Sequence, residues 1–538
     1  MISFAKETIK IGIMGAITNR RLPVGIQSFK KIRQERYLYV DKSEIVWLLA
    51  NKDTQYNYLS RPRRFGKSIL VDTLQAYFEG RRDLFEGLRI MELEKDWTQY
   101  PVIRLDMSRG GATPESLRSY LSSVFKEYEA EFDVRVGADD SLAVRFDAIV
   151  KAAYRKVGKQ VVILIDEYDS PLQHSWHTPD HEACTAIYRE VFAILKANDE
   201  YERFVFITGI TKFTQISLFS VLNNLSNISF DADYAAICGI SKQEAVDNFM
   251  PEIETMAAYN GWTVDEALDK LKAYYDGYHF SRDNMVDVYN PFSLISALHH
   301  KSLRSYWASS GATSMLPKFV DDIEIHLDDF DHCSVLGSIL ETSDVTGGGP
   351  ELFLYQSGYL TIKSADEFGY NLGIPNEEVR QALNEMVLPA LTLRKQGSTV
   401  SAQSKLYRQL GLCQLDDAKK TLRSLIADVP YSNKKLASMD MEERYRLIIS
   451  TILNAIGIRV EVERMLATGR IDLVAWTSRY IYVIELKLSN NGGIAAAEQQ
   501  IKACGYMQPF EADRREVVGL AVELDSEGKG LVDWKRVE

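Results

Sequence analysis

The nine residues SRPRRFGKS, from Ser60 to Ser68, end like a loop that binds the phosphates of a nucleotide. Gly66 lets the backbone approach a phosphate, Lys67 can reach the terminal phosphates, and the Ser68 hydroxyl can hold Mg²⁺. The beginning of the loop departs from the usual pattern, because Arg61 stands where a glycine is expected. Taken alone, the stretch fits a working nucleotide site, a lapsed one or an ordinary basic turn.

Two more polar positions follow apolar runs and suit the same chemistry. Asp166 and Glu167 come directly after the run from Val161 to Ile165. Asp166 can bind Mg²⁺ through water, and Glu167 can orient or polarise an attacking water molecule. Thr208 follows the run from Phe204 to Ile207 and could sense a γ-phosphate. Two motifs in the right structural context make a coincidence improbable, so we interpret this region as a nucleotide site.

A second group of charged residues lies in the last hundred positions. Asp472 is in the segment GRIDLV, and Glu485 and Lys487 are in the segment YIYVIELK. Glu485 and Lys487 are two residues apart, so on a strand both point to the same face of a sheet. Two antiparallel strands can bring Asp472 beside Glu485, and two carboxylates can bind Mg²⁺, which activates water for phosphodiester hydrolysis. Lys487 would hold the water nucleophile or the scissile phosphate.

The elements that must position these residues can be predicted from hydrophobic periodicity. Before Thr208, apolar runs alternate with helical patterns, and with the run from Ala236 to Ile240 they predict five buried strands of a mostly parallel α/β sheet. The segments between about 241 and 430 contain amphipathic helical patterns and no comparable chemistry. A helical pattern from Glu442 to Ile458, then three β-like segments and a helix with Gln500, predict a second α/β domain.

Length and composition set limits on these interpretations. A chain of 538 residues is too long for one core, so we expect about three domains. The net charge of −12 gives no general attraction to nucleic acid, so any such contact must be local. Five scattered cysteines without a C-x-x-C pair indicate neither a disulfide framework nor a zinc site and fit a reducing cytoplasm. No apolar run approaches the length of a membrane span.

Five strings in the first 300 residues carry a family resemblance: SRPRRFGKS, VVILIDEYDSP, FVFITGITKFTQISLFSVLNNLSNIS, YYDGYHF and YNPFSLISAL. They closely resemble the AAA-ATPase-like family of bacterial proteins over about residues 22 to 300. The resemblance implies that ATP binds and is hydrolysed at a loop that includes Phe65, and that Arg61 is a family variant. Arg63 and Arg64 could add positive charge near the phosphates, or they could belong to a solvated or DNA-facing turn.

The strings GRIDLV, IYVIELK and QQIKACGY resemble the PD-(D/E)XK nuclease superfamily, in particular the nuclease-like domain found after this ATPase. The resemblance implies that Asp472 and Glu485 bind Mg²⁺ or Mn²⁺, and that Glu442 and Gln500 are accessory active-site residues. Glu463 is a further candidate with weaker support. Leu486 replaces the phenylalanine of many relatives, but its backbone carbonyl is what matters there.

These observations give an α/β multidomain protein with three regions. We expect a P-loop, AAA-like ATPase core at residues 22–240, a helical lid and middle region at 241–435, and a restriction-endonuclease-like domain at 436–538. The expected function is ATP-gated cleavage of DNA or RNA by a cytoplasmic homo-oligomer, in defence against phage or mobile elements. The alternative is a nucleotide-dependent switch whose nuclease-like domain binds nucleic acid without cleaving it. Residues 441–538 contain 13 Lys or Arg and 15 Asp or Glu, which keeps that alternative open.

Overall fold

The computed structural model describes residues 20–52, 54–137, 140–212, 225–307, 333–342, 349–383, 396–427, 439–456, 458–477 and 479–537. Contacts divide the chain into two compact units. Among the described residues, the first unit contains those up to 307 and those from 333 to 377, and the second contains those from 378 onward. The division into three domains, with boundaries at 240 and 435, stays a prediction.

A parallel five-stranded sheet is the centre of the first unit. Its strands are β1 (Tyr56–Ser60), β2 (Val102–Asp106), β3 (Val161–Asp166), β4 (Glu202–Gly209) and β5 (Ser226–Asn227). They lie in the order β2-β3-β4-β1-β5, and all neighbours are parallel. Every residue of β3 is buried, as its unbroken apolar run predicts for a strand covered on both faces. The expected parallel α/β fold is therefore confirmed.

The fifth strand differs from the sequence prediction. The edge position beside β1 is taken by Ser226–Asn227, and the run from Ala236 to Ile240, which the sequence predicts as the fifth strand, does not join the sheet. That run is mostly turn and ends in β6 (Ile240–Ser241), which pairs antiparallel with β7 (Val288–Tyr289). Its apolar residues are buried for another reason, since Ile237 and Cys238 pack in the interior without joining the sheet. Apolar character alone predicts burial and does not distinguish a strand from a buried turn.

The helices of the first unit pack around this sheet and extend beyond it. They are α1 (Phe29–Gln34), α2 (Ser43–Asn51), α3 (Lys67–Phe78), α4 (Arg82–Phe85), α5 (Ile90–Leu93), α6 (Pro114–Glu131), α7 (Leu142–Val157), α8 (Ser170–Ser175), α9 (His181–Ala197), α10 (Lys242–Asn260), α11 (Val264–Tyr275), α12 (Pro291–His300), α13 (Gly337–Thr342) and α14 (Gly349–Ser357). Helices α10 and α11 begin with capping boxes, at Ser241 with Glu244 and at Thr263 with Glu266. A small antiparallel sheet of β8 (Cys333–Leu336), β9 (Thr361–Ala365) and β10 (Gly369–Gly373) completes the unit. In the part of the chain that the structure describes, no helix has both the length and the apolar character needed to cross a membrane.

The carboxyl ends of three neighbouring strands meet at one edge of the parallel sheet. Ser60 at the end of β1 lies beside Gly209 of β4, and Ile165 of β3 lies beside Ile207 of β4. Ligands of open parallel sheets bind at this edge, outside the carboxyl ends of the strands. The fold thus brings the loop after β1 and the acidic residues at the end of β3 together.

The first unit also contains a buried carboxyl group whose ionisation should make the stability of the fold depend on pH. Glu202 begins β4, is 1% exposed, and accepts a hydrogen bond from the Tyr56 hydroxyl at 2.6 Å. Burial raises the pKa of Glu202 to about 8. Between its ordinary pKa and about 8, the folded state keeps a proton that the unfolded state has released, so folding loses stability as the pH rises.

Replacing Glu202 with Gln removes this ionisation and keeps the shape of the side chain. The free energy of unfolding of Glu202→Gln is compared with that of the unchanged chain. We expect the difference to move in favour of Glu202→Gln by about 1 kcal/mol or more as the pH is raised from 5 to 8.5. Denaturant unfolding at both pH values measures the difference. Glu200→Gln is the matched control, since Glu200 is exposed two positions earlier. A Glu202→Gln effect that does not change with pH would contradict the prediction.

The second unit is built on a five-stranded mixed sheet. Its strands are β11 (Arg459–Leu466), β12 (Gly469–Trp476), β13 (Tyr480–Leu488), β14 (Glu516–Leu524) and β15 (Leu531–Val537), in that spatial order. Strands β13 and β14 are parallel and the other pairs are antiparallel. The helices are α15 (Gln396–Gly411), α16 (Leu415–Ala427), α17 (Met441–Ala455) and α18 (Gly493–Ala503). The predicted order of one helix, three strands and a helix is confirmed.

Two apolar cores cover the two faces of this sheet. On one face, α18 contributes Ala497 and Ile501 to a core with Val483 of β13. On the other face, α17 packs together with α15 and α16. Leu422 of α16 belongs to this second core and is nearly fully buried. Helices α15 and α16 therefore form part of the hydrophobic interior of the second unit.

Candidate active sites

The loop after β1 has the backbone conformation of a phosphate-binding loop. Gly66 has a φ of 91°, and α3 begins at the next residue, so the free N–H groups of its first turn border the loop. The Lys67 ammonium donates hydrogen bonds to the carbonyl oxygens of Arg61 at 2.9 Å and Pro62 at 3.0 Å. Lys67 is 6% exposed, and its burial lowers the pKa of the ammonium group. The ammonium is thus held at the loop by two of the loop's own carbonyl oxygens.

Arg61 stands where the first glycine of the loop is expected, and its buried side chain holds the loop in place through hydrogen bonds. It is 1% exposed, and its guanidinium donates to the carbonyl oxygens of Ser60, Ser229 and Tyr234 at 2.8 to 2.9 Å. The guanidinium carbon also lies 4.2 Å from the ring centre of Phe280, in cation–π contact. Arg61 thus ties the beginning of the loop to the segment after β5.

Asp166, Ser68 and Glu167 meet at the end of β3. Asp166 is 2% exposed, and burial raises the pKa of its carboxyl group while the nearby Ser68 hydroxyl acts to lower it. A hydroxyl and a nearby carboxylate are oxygen donors of the kind that Mg²⁺ prefers, so the residues fit that ion. Burial also raises the pKa of Glu167, which adopts a left-handed φ of 47°.

A cavity of about 400 Å³ lies over the loop. Ligand pockets of this size accept molecules as large as nucleotides. The cavity is lined on one side by Arg63, Arg64, Gly66, Lys67, Ser68 and Glu167. The wall formed by residues 23–27 and by Pro291, Phe292 and Ile295 is mostly apolar. The lining thus combines a polar end for phosphates with an apolar end that suits a nucleobase.

The two arginines of the loop lie at this cavity in different surroundings. The Arg64 guanidinium is 4.8 Å from the ring centre of Phe292, and an Arg63 nitrogen is 3.5 Å from Oε1 of Gln173. Phe65 is buried and makes edge-to-face contacts with Tyr278 and Phe280. Of these three loop residues, Arg63 and Arg64 line the cavity and Phe65 does not, so Phe65 contributes packing beneath the loop.

Thr208 is buried in β4, and its hydroxyl donates to the carbonyl oxygen of Leu59 at 2.9 Å. That bond links β4 to the strand before the loop. Thr208 does not line the cavity, and its contact with a γ-phosphate stays a prediction.

Asp169 is a residue of this region that the sequence analysis missed. Its Oδ2 accepts hydrogen bonds from the backbone N–H groups of Ile210 and Thr211, the Thr211 hydroxyl and the Gln173 amide. Gly209 has no space for a side chain, since an added Cβ would lie 2.4 Å from Oδ1 of Asp169. Asp169 therefore fixes the segment that follows β4. The third acid of the string DEYD was the available signal.

The second charged group lies where β12 and β13 pair. Leu473 faces Ile484 in the antiparallel register, so Asp472 and Glu485 are directly opposite. Asp472 is 4% and Glu485 1% exposed, and Oδ2 of Asp472 accepts the Leu486 backbone N–H at 2.8 Å. Burial, reinforced by the charge of Asp472, raises the pKa of Glu485 to about 7.

The surroundings of Glu485 fit a bound cation. Its Oε1 accepts a hydrogen bond from the Lys487 ammonium at 2.8 Å, while its Oε2 is buried without a hydrogen-bond partner in the described part of the chain. An unpaired buried carboxylate oxygen is costly unless a ligand satisfies it. Oxygen atoms of Asp472, Glu485 and the Leu486 carbonyl form a donor set that suits Mg²⁺ or Mn²⁺.

The accessory candidates Glu442 and Gln500 differ in their surroundings. Burial raises the pKa of Glu442 on α17, and the charges of Lys487 and Asp472 act on the same group, which places it near the acidic pair. The Gln500 amide donates to the Tyr506 hydroxyl at 3.1 Å, which in turn donates to the Arg470 carbonyl. The catalytic roles of both residues stay predictions.

Arg446 is a second residue that the sequence analysis missed. Its guanidinium bridges two strands: one nitrogen is 3.3 Å from Oδ1 of Asp472, and the other is 2.9 Å from Oε1 of Glu463. Glu463, the weaker candidate, also pairs with Arg470 at 2.9 Å. Across the ranges that the structure describes, no cluster of three or more His, Cys, Asp or Glu residues is arranged to hold a metal.

Comparison with known proteins agrees with this geometry. Residues 23–219 match the AAA-ATPase-like family, described as a predicted AAA-ATPase. Residues 440–534 match the PD-(D/E)XK nuclease superfamily. A curated protein of Azotobacter chroococcum mcd 1, "Uncharacterized protein in vnfD 5'region", is 29% identical over 536 residues, covering 96% of this chain and 99% of its own length.

Proposed function

Because the chain carries a predicted AAA-ATPase domain at residues 23–219 and a PD-(D/E)XK nuclease superfamily domain at residues 440–534, we propose that it hydrolyses ATP and cleaves DNA or RNA under the control of ATP. One observation carries the cleavage half of the proposal. Asp472 and Glu485 lie opposite each other on paired strands, with Lys487 on Glu485 and one buried carboxylate oxygen left for a cation.

In the ATPase half, residues of the loop after β1 and residues at the end of β3 have different roles. Lys67 exchanges the carbonyls of Arg61 and Pro62 for the terminal phosphates, and Ser68 with Asp166 would hold Mg²⁺. Glu167 orients the water that attacks the γ-phosphorus. The bond between that phosphorus and the β–γ bridging oxygen then breaks, and the water proton passes to phosphate. The apolar wall near Phe292 receives the base.

In the nuclease half, Asp472 and Glu485 would hold the divalent ion through their carboxylates. A bound divalent ion supplies a more acidic water molecule and neutralises charge on the scissile phosphate. Lys487, held 2.8 Å from Glu485, orients the water or the phosphate. The oxygen of water bonds to phosphorus, one P–O ester bond breaks, and the leaving oxygen takes a proton. Glu442 feels the charges of Lys487 and Asp472, and we assign it an accessory role at this site.

The remaining parts of the proposal concern partners and place. A nearly balanced C-terminal region, with 13 basic and 15 acidic residues in 441–538, attracts nucleic acid weakly by itself. Assembly into a homo-oligomer would supply several binding surfaces at once, and ATP would control that assembly. A cytoplasmic location and a role in defence against phage or mobile elements complete the proposal.

The same charge balance favours a second candidate function, a nucleotide-dependent switch. In that case the ATPase assembles and signals, while the nuclease fold only binds nucleic acid. One experiment separates the two: the purified chain is incubated with Mg²⁺ or Mn²⁺ and labelled single- and double-stranded DNA and RNA, with and without ATP. Metal-dependent cleavage supports the nuclease. Retention of nucleic acid without cleavage in any combination would leave the switch.

The Glu167→Gln substitution tests the assignment of roles at the nucleotide site. It should retain nucleotide binding and slow hydrolysis by about 10²-fold, because it removes the group that orients water and leaves Asp166 for Mg²⁺. A titration with a fluorescent ATP analogue measures binding, and phosphate release measures hydrolysis. Glu182→Gln serves as a matched control, since Glu182 is exposed on α9. Loss of binding by folded Glu167→Gln protein would show that the two acidic roles are wrong.

A further inference from the structure

The Arg446 guanidinium forms ion pairs with two acidic residues of the second unit. It reaches from α17 to Asp472 on β12 and Glu463 on β11, with one nitrogen for each carboxylate. The side chains of Arg446 and Asp472 are only 12% and 6% exposed, so solvent screens this ion pair less than it screens pairs on the surface. In a nuclease with two metal ions, the ions lie only about 4 Å apart, so a second ion would lie close to the carboxylates that hold the first. Arg446 takes the Asp472 oxygen that the second ion would need.

We propose that the guanidinium of Arg446 replaces a second divalent cation, so that the nuclease site holds a single metal ion between Asp472 and Glu485. This inference rests on the proposed nuclease function. Arg446 acts through Asp472 and Glu463 and is therefore a positioning residue. It keeps the Asp472 carboxylate in place and supplies the positive charge of the missing ion.

The oxygen atoms of Asp472 support this arrangement. Oδ2 accepts the Leu486 N–H at 2.8 Å, and Oδ1 faces Arg446 at 3.3 Å. Oε2 of Glu485 lacks a hydrogen-bond partner among the described residues, whereas Oε1 of Glu463 has two arginine partners. The unsatisfied oxygen is thus on the Glu485 side, and the Glu463 side is already neutralised.

The charges around the site lead to the same conclusion. The four carboxylates of Glu442, Glu463, Asp472 and Glu485 are accompanied by the three basic groups of Arg446, Arg470 and Lys487. The carboxylates thus outnumber the basic groups by one. A single divalent ion would make the net charge of the site positive, and a positive site attracts a phosphodiester. A second ion would add charge where Arg446 already provides it, and like charges at close range repel.

Removal of Arg446 should therefore create a second cation site. With Arg446→Met, Glu463 and Asp472 lose their shared counter-charge, and we expect a second Mn²⁺ to bind or the affinity for Mn²⁺ to rise by about tenfold. Arg446→Lys keeps the charge and should retain a single ion. Arg470→Met is the matched control, because Arg470 contacts Glu463 at 2.9 Å and makes no ion pair with Asp472 in the described structure.

The experiment measures Mn²⁺ binding to the full chain without nucleotide, by isothermal titration and by electron paramagnetic resonance. The Glu485→Gln chain gives the background from the nucleotide site, and circular dichroism checks folding. The unchanged chain should bind a single Mn²⁺ above that background. Two coupled ions in the unchanged chain would overturn the inference even if Arg446→Met failed to fold. Weaker binding by folded Arg446→Met would also overturn it, since Arg446 would then only support Asp472.

These outcomes differ from a failure of the proposed function. If the unchanged chain and Glu485→Gln bind Mn²⁺ equally, no metal enters the acidic pair, and the nuclease proposal falls together with this inference. If the unchanged chain cleaves nucleic acid and binds two ions there, the nuclease stands and only the role of Arg446 is wrong.

Discussion

We expect Lys67→Ala to lower the rate of ATP hydrolysis by about 10²-fold or more, which would leave turnover near background. Lys67 is the loop's lysine, and its ammonium is already positioned over the loop by the carbonyls of Arg61 and Pro62. Alanine at this position removes the positive charge that stabilises the leaving and transferring phosphates. Phosphate release at saturating ATP measures the effect.

A matched lysine variant separates this effect from damage to the fold. Lys52→Ala changes a lysine of the same unit that pairs with the exposed Asp233, and its hydrolysis should equal that of the unchanged chain. Turnover of ATP by folded Lys67→Ala protein at the normal rate would show that the loop is not the nucleotide site. Arg61 at the first-glycine position would then mark a lapsed motif.

We expect Asp472→Ala to end metal-dependent cleavage of nucleic acid and to leave basal ATP hydrolysis largely intact. The substitution removes one of two carboxylate ligands, so the divalent ion is weakly held and its water insufficiently activated. We expect cleavage to fall by about 10³-fold or more. ATP hydrolysis should continue because Asp472 and Lys67 belong to different compact units, each with its own core.

The measurement is paired: phosphate release and gel cleavage on the same preparations, with circular dichroism to exclude unfolding. Lys487→Ala is the comparison variant, since it should lose cleavage equally but bind metal better than Asp472→Ala. Undiminished cleavage by folded Asp472→Ala protein would end the nuclease assignment. Loss of ATP hydrolysis in the same folded variant would instead contradict the independence of the two centres.

Features that depend on local sequence could be predicted before the structure. A strand, a glycine turn and a helix place Lys67 and Ser68, and one continuous apolar run makes β3 and ends at Asp166. The juxtaposition of Asp472 and Glu485 follows from a hairpin whose two strands are adjacent in sequence. The order of neighbouring elements and the alternation of apolar and polar residues leave few alternative structures for such features.

Features that depend on distant parts of the chain could not be predicted. Arg61 is held by carbonyls of Ser229 and Tyr234, which lie about 170 positions later in sequence. Arg446 resembles any other arginine of an amphipathic helix until β11 and β12 bring acids to it. Thr208 looked available for a phosphate, but its hydroxyl is used by Leu59 in the neighbouring strand. Only tertiary structure decides which polar group finds which partner.

Helices α15 and α16 set the smallest fragment of the chain that can be expected to fold as a nuclease. Leu422, Leu425 and Ile426 of α16 pack in the same core as Ile449 of α17 and Trp534 of β15. A recombinant fragment cut at residue 440, where the superfamily match begins, would expose this apolar face to water and would be prone to aggregate. A fragment that starts before Gln396 keeps both helices. If the short fragment is insoluble, the cause would therefore be the loss of α15 and α16 from the core. The result would not count against the catalytic residues, which the fragment retains.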